Sequence, residues 1–197
     1  MTYKIYQIDA FADTVFSGNP AAVVPLNEWL PDELLQNIAM ENNLAETAFF
    51  VQQGDQYKIR WFTPKVEVDL CGHATLAAAY VLFSYENHVG DSIQFYSPRS
   101  GELTVTRKAE LLTLNFPTDV FEKVPLSNEL TDGFDILPIE ALKGKTDYVL
   151  VFRNESQVKS IKPVYHRLQR WVAAASLLQR KEMRSILFPG FSRHRQV

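Results

Sequence analysis

Glu46 stands where an apolar strand begins, among Leu44, Ala45 and Ala48. A carboxyl in such surroundings resists ionisation, so its pKa is expected to rise toward neutrality, which is what a carboxyl general acid/base requires. A solvated glutamate at a strand end is the plainer reading of the same residue. Further along, an extended segment stops at Asp69-Leu70-Cys71-Gly72-His73, and a run of alanines follows at once. A helix that starts there leaves backbone N–H groups without intrahelical partners, at the positive end of the helix dipole. That is a seat for a carboxylate or phosphate. His73 in that place is discouraged from protonating and could hydrogen-bond a substrate as a neutral ring; it could equally be a satisfied structural histidine. Cys71 reads either as a nucleophile or base activated by the same helix end, or as a small buried hydrophobe. Asn19, in the Gly18-Asn19-Pro20 turn, is a turn residue that could also offer a ligand-binding amide.

The elements that must hold these residues follow from periodicity and turn chemistry. Lys4–Asp9 alternates like a strand, and Ala21–Val24 is a short buried one. Pro31, Asp32 and Glu33 open a helix whose apolar positions are Leu34, Leu35, Ile38 and Ala39; it fades at Glu41-Asn42-Asn43. Thr47–Val51 and Tyr57–Phe62 read as paired strands around a Gly54-Asp55 turn. From about Ala74 to Tyr85 the helix is apolar nearly all round, so it is expected to be buried rather than to lie on a surface. Ser92–Tyr96, Glu102–Thr106 and Leu111–Asn115 supply three more strands. A short helix near Ile139–Leu142, a strand Tyr148–Phe152 and an amphipathic stretch Glu155–Ile161 follow. The fold class expected is α+β, a mixed sheet wrapped around one buried helix.

The chain has 197 residues and 46% hydrophobic content, enough for one large domain or two small ones. One cysteine rules out an internal disulfide and suits a reducing, cytoplasmic compartment. No apolar run approaches the length of a membrane span, and the N-terminus lacks the layout of a signal peptide. No zinc-type Cys/His cluster, Walker loop or Rossmann glycine fingerprint is present, so neither a metal nor a nucleotide cofactor is expected. The net charge of −3 hides an asymmetry: residues 164–197 hold six Arg, one Lys and a single acid, against 13 bases and 22 acids in the other 163 residues.

Five ordered motifs carry a resemblance. They are Asp9-Ala10-Phe11, Phe16-Ser17-Gly18-Asn19-Pro20-Ala21-Ala22-Val23, Leu44-Ala45-Glu46-Thr47-Ala48-Phe49, Arg60-Trp61-Phe62-Thr63-Pro64 and Leu70-Cys71-Gly72-His73-Ala74-Thr75. In this order the chain resembles the phenazine-biosynthesis PhzF-like family, from the N-terminus to about Pro163. The resemblance implies a diaminopimelate-epimerase-like fold, in which two similar halves each wrap a sheet around a central helix. It also implies cofactor-free proton transfer on a small carboxylate-bearing substrate. Glu46 falls on the family's catalytic glutamate. Gly72 and His73 fall on the turn that contacts the substrate carboxylate, and Asn19 on the first-half asparagine that faces the cleft. Cys71 is not the base in this scheme.

The chain departs from the family after Lys162-Pro163, where the composition also changes. Members run longer and carry a second-half motif of the Asp-Pro-Val-Thr-Gly-Ser type, absent here. The expectation is a family domain over residues 1–163, with the start of the second half, and an aberrant basic tail over 164–197 produced by a frameshift. In the frame that joins the third base of each codon to the first two of the next, starting at Ala175, suitable codons permit Val-Ile-Ile-Thr-Ala-Lys-Gly-Asn-Glu-Val-Asp-Phe-Val-Ser-Arg-Phe-Phe-Ala-Pro, similar to the family's next strand, turn and strand. The competing account makes Tyr165–Arg184 a basic amphipathic helix for an acidic partner, nucleic acid or a membrane surface. For function, an isomerase that is inactive or weak in this form stands beside a non-catalytic binding or assembly module built from the surviving half. The expected partners are a small molecule and, at most, a second copy of the chain, not nucleic acid or membrane.

Overall fold

The structure, a computed structural model, describes residues 2–12, 18–145, 148–164 and 167. The chain divides into two compact units at Pro117 and Thr118. The first contains strands β1 (Tyr6–Ala10) and β2 (Asn19–Leu26), helix α1 (Asp32–Asn42), and strands β3 (Glu46–Gln53), β4 (Gln56–Phe62) and β5 (Glu67–Val68). Helix α2 (Gly72–Ser84) and strands β6 (Ser92–Ser97), β7 (Gly101–Lys108) and β8 (Leu111–Asn115) complete it. The second contains β9 (Glu122–Val124), α3 (Asn128–Thr131), β10 (Glu140–Lys143), β11 (Tyr148–Val151) and α4 (Glu155–Ser160). The basic tail, apart from Val164 and Arg167, lies outside the described residues, and so do both accounts of it. Among the described residues no helix is long and apolar enough to cross a membrane.

One mixed sheet organises the first unit, in the order β1-β2-β3-β4-β6-β7-β8, with β5 paired to β4. The pairs β2/β3 and β4/β6 are parallel and the rest antiparallel. Each parallel pair needs a crossover, and each crossover contains a helix. Helix α1 links β2 to β3 on one face of the sheet, where Leu35 and Ala39 pack with Val24, Leu26, Phe49 and Phe62. Helix α2 lies between β4 and β6 in sequence and takes the other face.

That second face holds the main core. Strand alternation sends Ala21 and Val23, Ala48 and Phe50, Ile59 and Trp61, Ile93 and Phe95, and Leu103 and Val105 toward α2. The sheet curls around the helix because the helix is thin where it is enclosed: Ala77, Ala78 and Ala79 are each fully buried. A helix this apolar has no polar face to keep in water, so it can be stable only as the axis of such a wrap. Helix α1 has the opposite character. Pro31 precedes it, Asp32 and Glu33 occupy its first turn, and Asn43 closes it in the left-handed conformation (φ 51°), its N–H donating to the carbonyl of Ala39.

In the second unit, β9, β10 and β11 form a small antiparallel sheet with its own core of Leu130, Ala141, Leu150 and Phe152. The helix expected near Ile139–Leu142 is instead strand β10. Glu140, Ala141, Leu142 and Lys143 have good helix propensity, but pairing with β9 on one side and β11 on the other outweighs a preference worth tenths of a kcal/mol per residue.

Candidate active site

Glu46 begins β3, pairs with Ala21 of β2 and shares the α2-facing side of the strand with Ala48 and Phe50. Its neighbour Thr47 receives a hydrogen bond from Asn42 Nδ2 (3.3 Å), which ties the end of α1 to the start of β3. Glu46 is 3% exposed. A buried carboxylate is costly unless a polar group answers it, and the answering group is His73: its Nε2 lies 3.2 Å from Glu46 Oε2. The alignment of this contact is looser than that of a settled hydrogen bond, as is usual for proton-handling pairs before substrate binds.

His73 lies in the first turn of α2 and is 8% exposed. The other edge of its ring faces Cys71, whose Sγ is 3.4 Å from Nδ1. Cys71 is the N-cap of α2, with extended backbone (φ −145°, ψ 109°) and no side-chain capping bond. Its carbonyl accepts from Thr75 N (3.2 Å) and from Thr75 Oγ1 (2.6 Å), which fixes the turn from within the helix. The segment leading into the turn is held from outside. Arg60 grips Glu67 through Nε (2.7 Å) and Nη2 (2.9 Å). Arg99 reaches Glu67 and Asp69, and Ser100 Oγ donates to the carbonyl of Asp69 (2.6 Å). Paired charges therefore set the position at which α2 starts.

Gly72 has no positive φ, and a Cβ built on it would meet only the Phe116 ring at 3.6 Å and Leu114 at 3.9 Å, ordinary contacts. Neither backbone conformation nor crowding within the fold demands glycine there. Gly18 is different: a Cβ would collide with the Ala10 carbonyl oxygen, so the position beside Asn19 calls for glycine. Asn19 opens β2 opposite Ala10 and is exposed. It stands two residues before Ala21, hence on the same face and at the same end of the sheet as Glu46. The structure thus brings Glu46, His73 and Cys71 into contact, with Gly72 inside that turn, and leaves Asn19 at the adjoining strand start. The contact that the sequence does not announce is the one between Cys71 and His73. Its only signal is the spacing of two residues across a helix start.

One ligand atom from each of Glu46, Cys71 and His73 lies within 4.8 Å of the others, a separation compatible with a metal. The same closeness brings proton-handling groups together: the thiol lies against Nδ1 and the carboxylate against Nε2 of one imidazole.

Comparison with known proteins agrees with this fold. Residues 8–185 match the family described as Phenazine biosynthesis-like protein, PhzC-PhzF, and the chain belongs to that family. An uncharacterized isomerase of Pseudomonas aeruginosa is 47% identical over 171 residues, covering 86% of this chain and 65% of the relative. The crystal structure of a PhzF-family phenazine biosynthesis protein from Enterococcus faecalis superposes with a TM-score of 0.78 at 47% identity, over 86% of this chain and 64% of that one. The chain therefore spans about two thirds of the length of these relatives. A structure described as a predicted epimerase, also from Pseudomonas aeruginosa, shares the fold with a TM-score of 0.64 at 18% identity, over 89% of this chain and 67% of that one. The sheet curled around α2 is the half-barrel of the diaminopimelate-epimerase-like fold, and the relatives' names place the family among isomerases.

Proposed function

We propose that the chain carries the proton-transfer half of an isomerase site acting on a small metabolite that bears a carboxylate. The observation that supports this reading is the buried Glu46 carboxyl set 3.2 Å from the His73 ring at the start of α2. Glu46 takes a proton from a carbon whose electron pair can delocalise into an adjacent unsaturated group, and the Glu46 carboxylic acid returns that proton to a different carbon. No oxidant, reductant or cofactor enters the balance. A positioned acid/base of this kind contributes about 10²–10⁴-fold in rate.

The substrate carboxylate is assigned to the N-terminal turn of α2. Backbone N–H groups there point away from the helix with the positive end of its dipole. Gly72 supports the assignment: where neither φ nor crowding requires glycine, the remaining use of a missing side chain is close approach of a ligand to the backbone. His73 orients the carboxylate as a neutral donor, and Asn19 offers an amide from the start of β2.

The test has two arms. In deuterated water, a panel of small unsaturated and 2-amino carboxylic acids is followed for exchange at carbon, with the chain and with Glu46→Gln. In parallel, amide shifts of Gly72 and His73 are followed as the same acids are added. Exchange that vanishes in Glu46→Gln, with shifts centred on Gly72, is the expected result. Exchange undiminished by Glu46→Gln, or saturable binding that leaves the Gly72 amide unmoved, refutes the assignment.

A further inference from the structure

We propose that Cys71 is a positioning residue for His73: its thiol donates to Nδ1 and so keeps the ring proton on Nε2, the edge that faces Glu46. A neutral imidazole carries one N–H and one acceptor nitrogen, and its neighbours decide which is which. Here both edges have a neighbour inside the protein: Cys71 Sγ bonds Nδ1 at 3.4 Å, and Glu46 Oε2 stands 3.2 Å from Nε2 without settled hydrogen-bond alignment.

The two neighbours differ in what they can do. A thiol can donate, whereas a carboxylate can only accept. The complementary arrangement is S–H to Nδ1 and Nε2–H to the carboxylate. The other tautomer would set the Nε2 lone pair against the carboxylate lone pairs in a buried place where mutual repulsion is weakly screened. The helix start disfavours the doubly protonated ring, which would otherwise remove the choice.

The carbonyl of Cys71 is held by Thr75 N and Thr75 Oγ1, and the side chain makes no capping bond to the helix. Cys71 is 1% exposed, so the donor does not exchange partners with bulk water. The thiol thereby keeps the N–H on the ring edge shared by Glu46 and the proposed substrate seat, without itself meeting the substrate.

The inference rests on the proposed site only through its geometry. The decisive measurement reads ring nitrogens, not turnover: two-dimensional proton–nitrogen spectra of the chain with labelled histidine. The chain has four histidines, and His73 is assigned by its absence in His73→Gln. The expected result is a protonated Nε2 and a hydrogen-bonded acceptor Nδ1 in the wild type and in Cys71→Ser, which keeps a donor. In Cys71→Ala, of similar size without one, the Nδ1 resonance moves toward the position of an unbonded nitrogen. An Nδ1 signal unchanged in Cys71→Ala overturns the inference. So does a proton on Nδ1 in the wild type, a result that decides the matter even if the alanine variant does not fold. Absence of proton exchange would sink the proposed function and leave these spectra unaffected.

Discussion

Glu46 and His73 meet at 3.2 Å although one starts a strand and the other a helix, with the whole β3–β4 hairpin between them in sequence. The meeting is a consequence of topology. The first crossover ends where β3 begins, and β3 runs antiparallel to β4, so β4 ends and the second crossover starts at that same end of the sheet; the first residue of β3 and the first turn of α2 therefore share one end of the curl. Neither side chain could be buried there alone, because each would leave a polar group without an answer.

If His73 orients the substrate carboxylate, its loss should weaken binding more than it disturbs the fold. His73→Gln is expected to lower the affinity for small carboxylates by roughly 10- to 100-fold, the equivalent of one hydrogen bond to a charged group. Titration of the Gly72 amide resonance measures this directly, with the denaturation midpoint as control. An unchanged affinity would remove His73 from the binding role.

The ion pairs that precede α2 should matter unequally. Arg60 and Glu67 are each 15% exposed at the side chain and joined by two parallel hydrogen bonds, whereas Arg99 is 47% exposed. Hydrogen bonding to Glu67 is the main influence that raises the pKa of Arg60, so the guanidinium stays charged and depends on that partner. Glu67→Ala is expected to cost about 2 kcal/mol, less than a fully buried pair because some solvent reaches it. Arg99→Ala should cost under about 1 kcal/mol. Urea denaturation at low and moderate salt separates the two, and equal losses would contradict the ranking.

The sequence makes the large elements legible because burial leaves a period behind. The all-round apolar run of Leu76, Ala77, Ala78 and Ala79 marks α2 as an axis, and alternation in Ser92–Ser97 marks β6. Strand β5, with two residues, and β9, with three, are too short to show any period. Strand β10 is hidden by residues that favour helix and are overruled by their neighbours. At the site, Glu46, Gly72 and His73 can be singled out from residue types at a strand start and a helix start. The thiol contact to His73 cannot, because it depends on the rotamer of Cys71 and not on a pattern.

The tightness of the wrap around α2 gives a packing prediction. Ala78 is fully buried at the middle of the helix, with the sheet close on its side chain. Ala78→Leu adds three carbons at a fully buried position, and is expected to destabilise the fold by about 1–3 kcal/mol despite leucine's good helix propensity. Met40→Leu, at a helical position that is 56% exposed, should be within about 0.5 kcal/mol of neutral. Comparison of the two denaturation midpoints isolates packing from propensity.

Tyr6 and Glu86 give the protein a pH-dependent clasp between β1 and the end of α2. Tyr6 Oη donates to Glu86 Oε1 at 2.7 Å, and Lys4 Nζ approaches the same oxygen at 3.1 Å. The Tyr6 hydroxyl is the main cause that holds the Glu86 carboxyl below its ordinary pKa of 4.5; the same bond raises the Tyr6 pKa above its ordinary 10.0. A depressed carboxyl pKa stabilises the fold above the unfolded value and loses that contribution as pH falls through the folded value. A raised tyrosine pKa stabilises below the unfolded value and loses its contribution as pH rises through the folded one. Tyr6→Phe should therefore cost about 1 kcal/mol at pH 7, a modest figure because the carboxyl is partly exposed. The difference from wild type should narrow below about pH 4.5 and again above about pH 10. Urea midpoints measured from pH 3 to pH 11 trace both limbs, and a difference that does not vary with pH would show that the lost hydroxyl acts through packing alone.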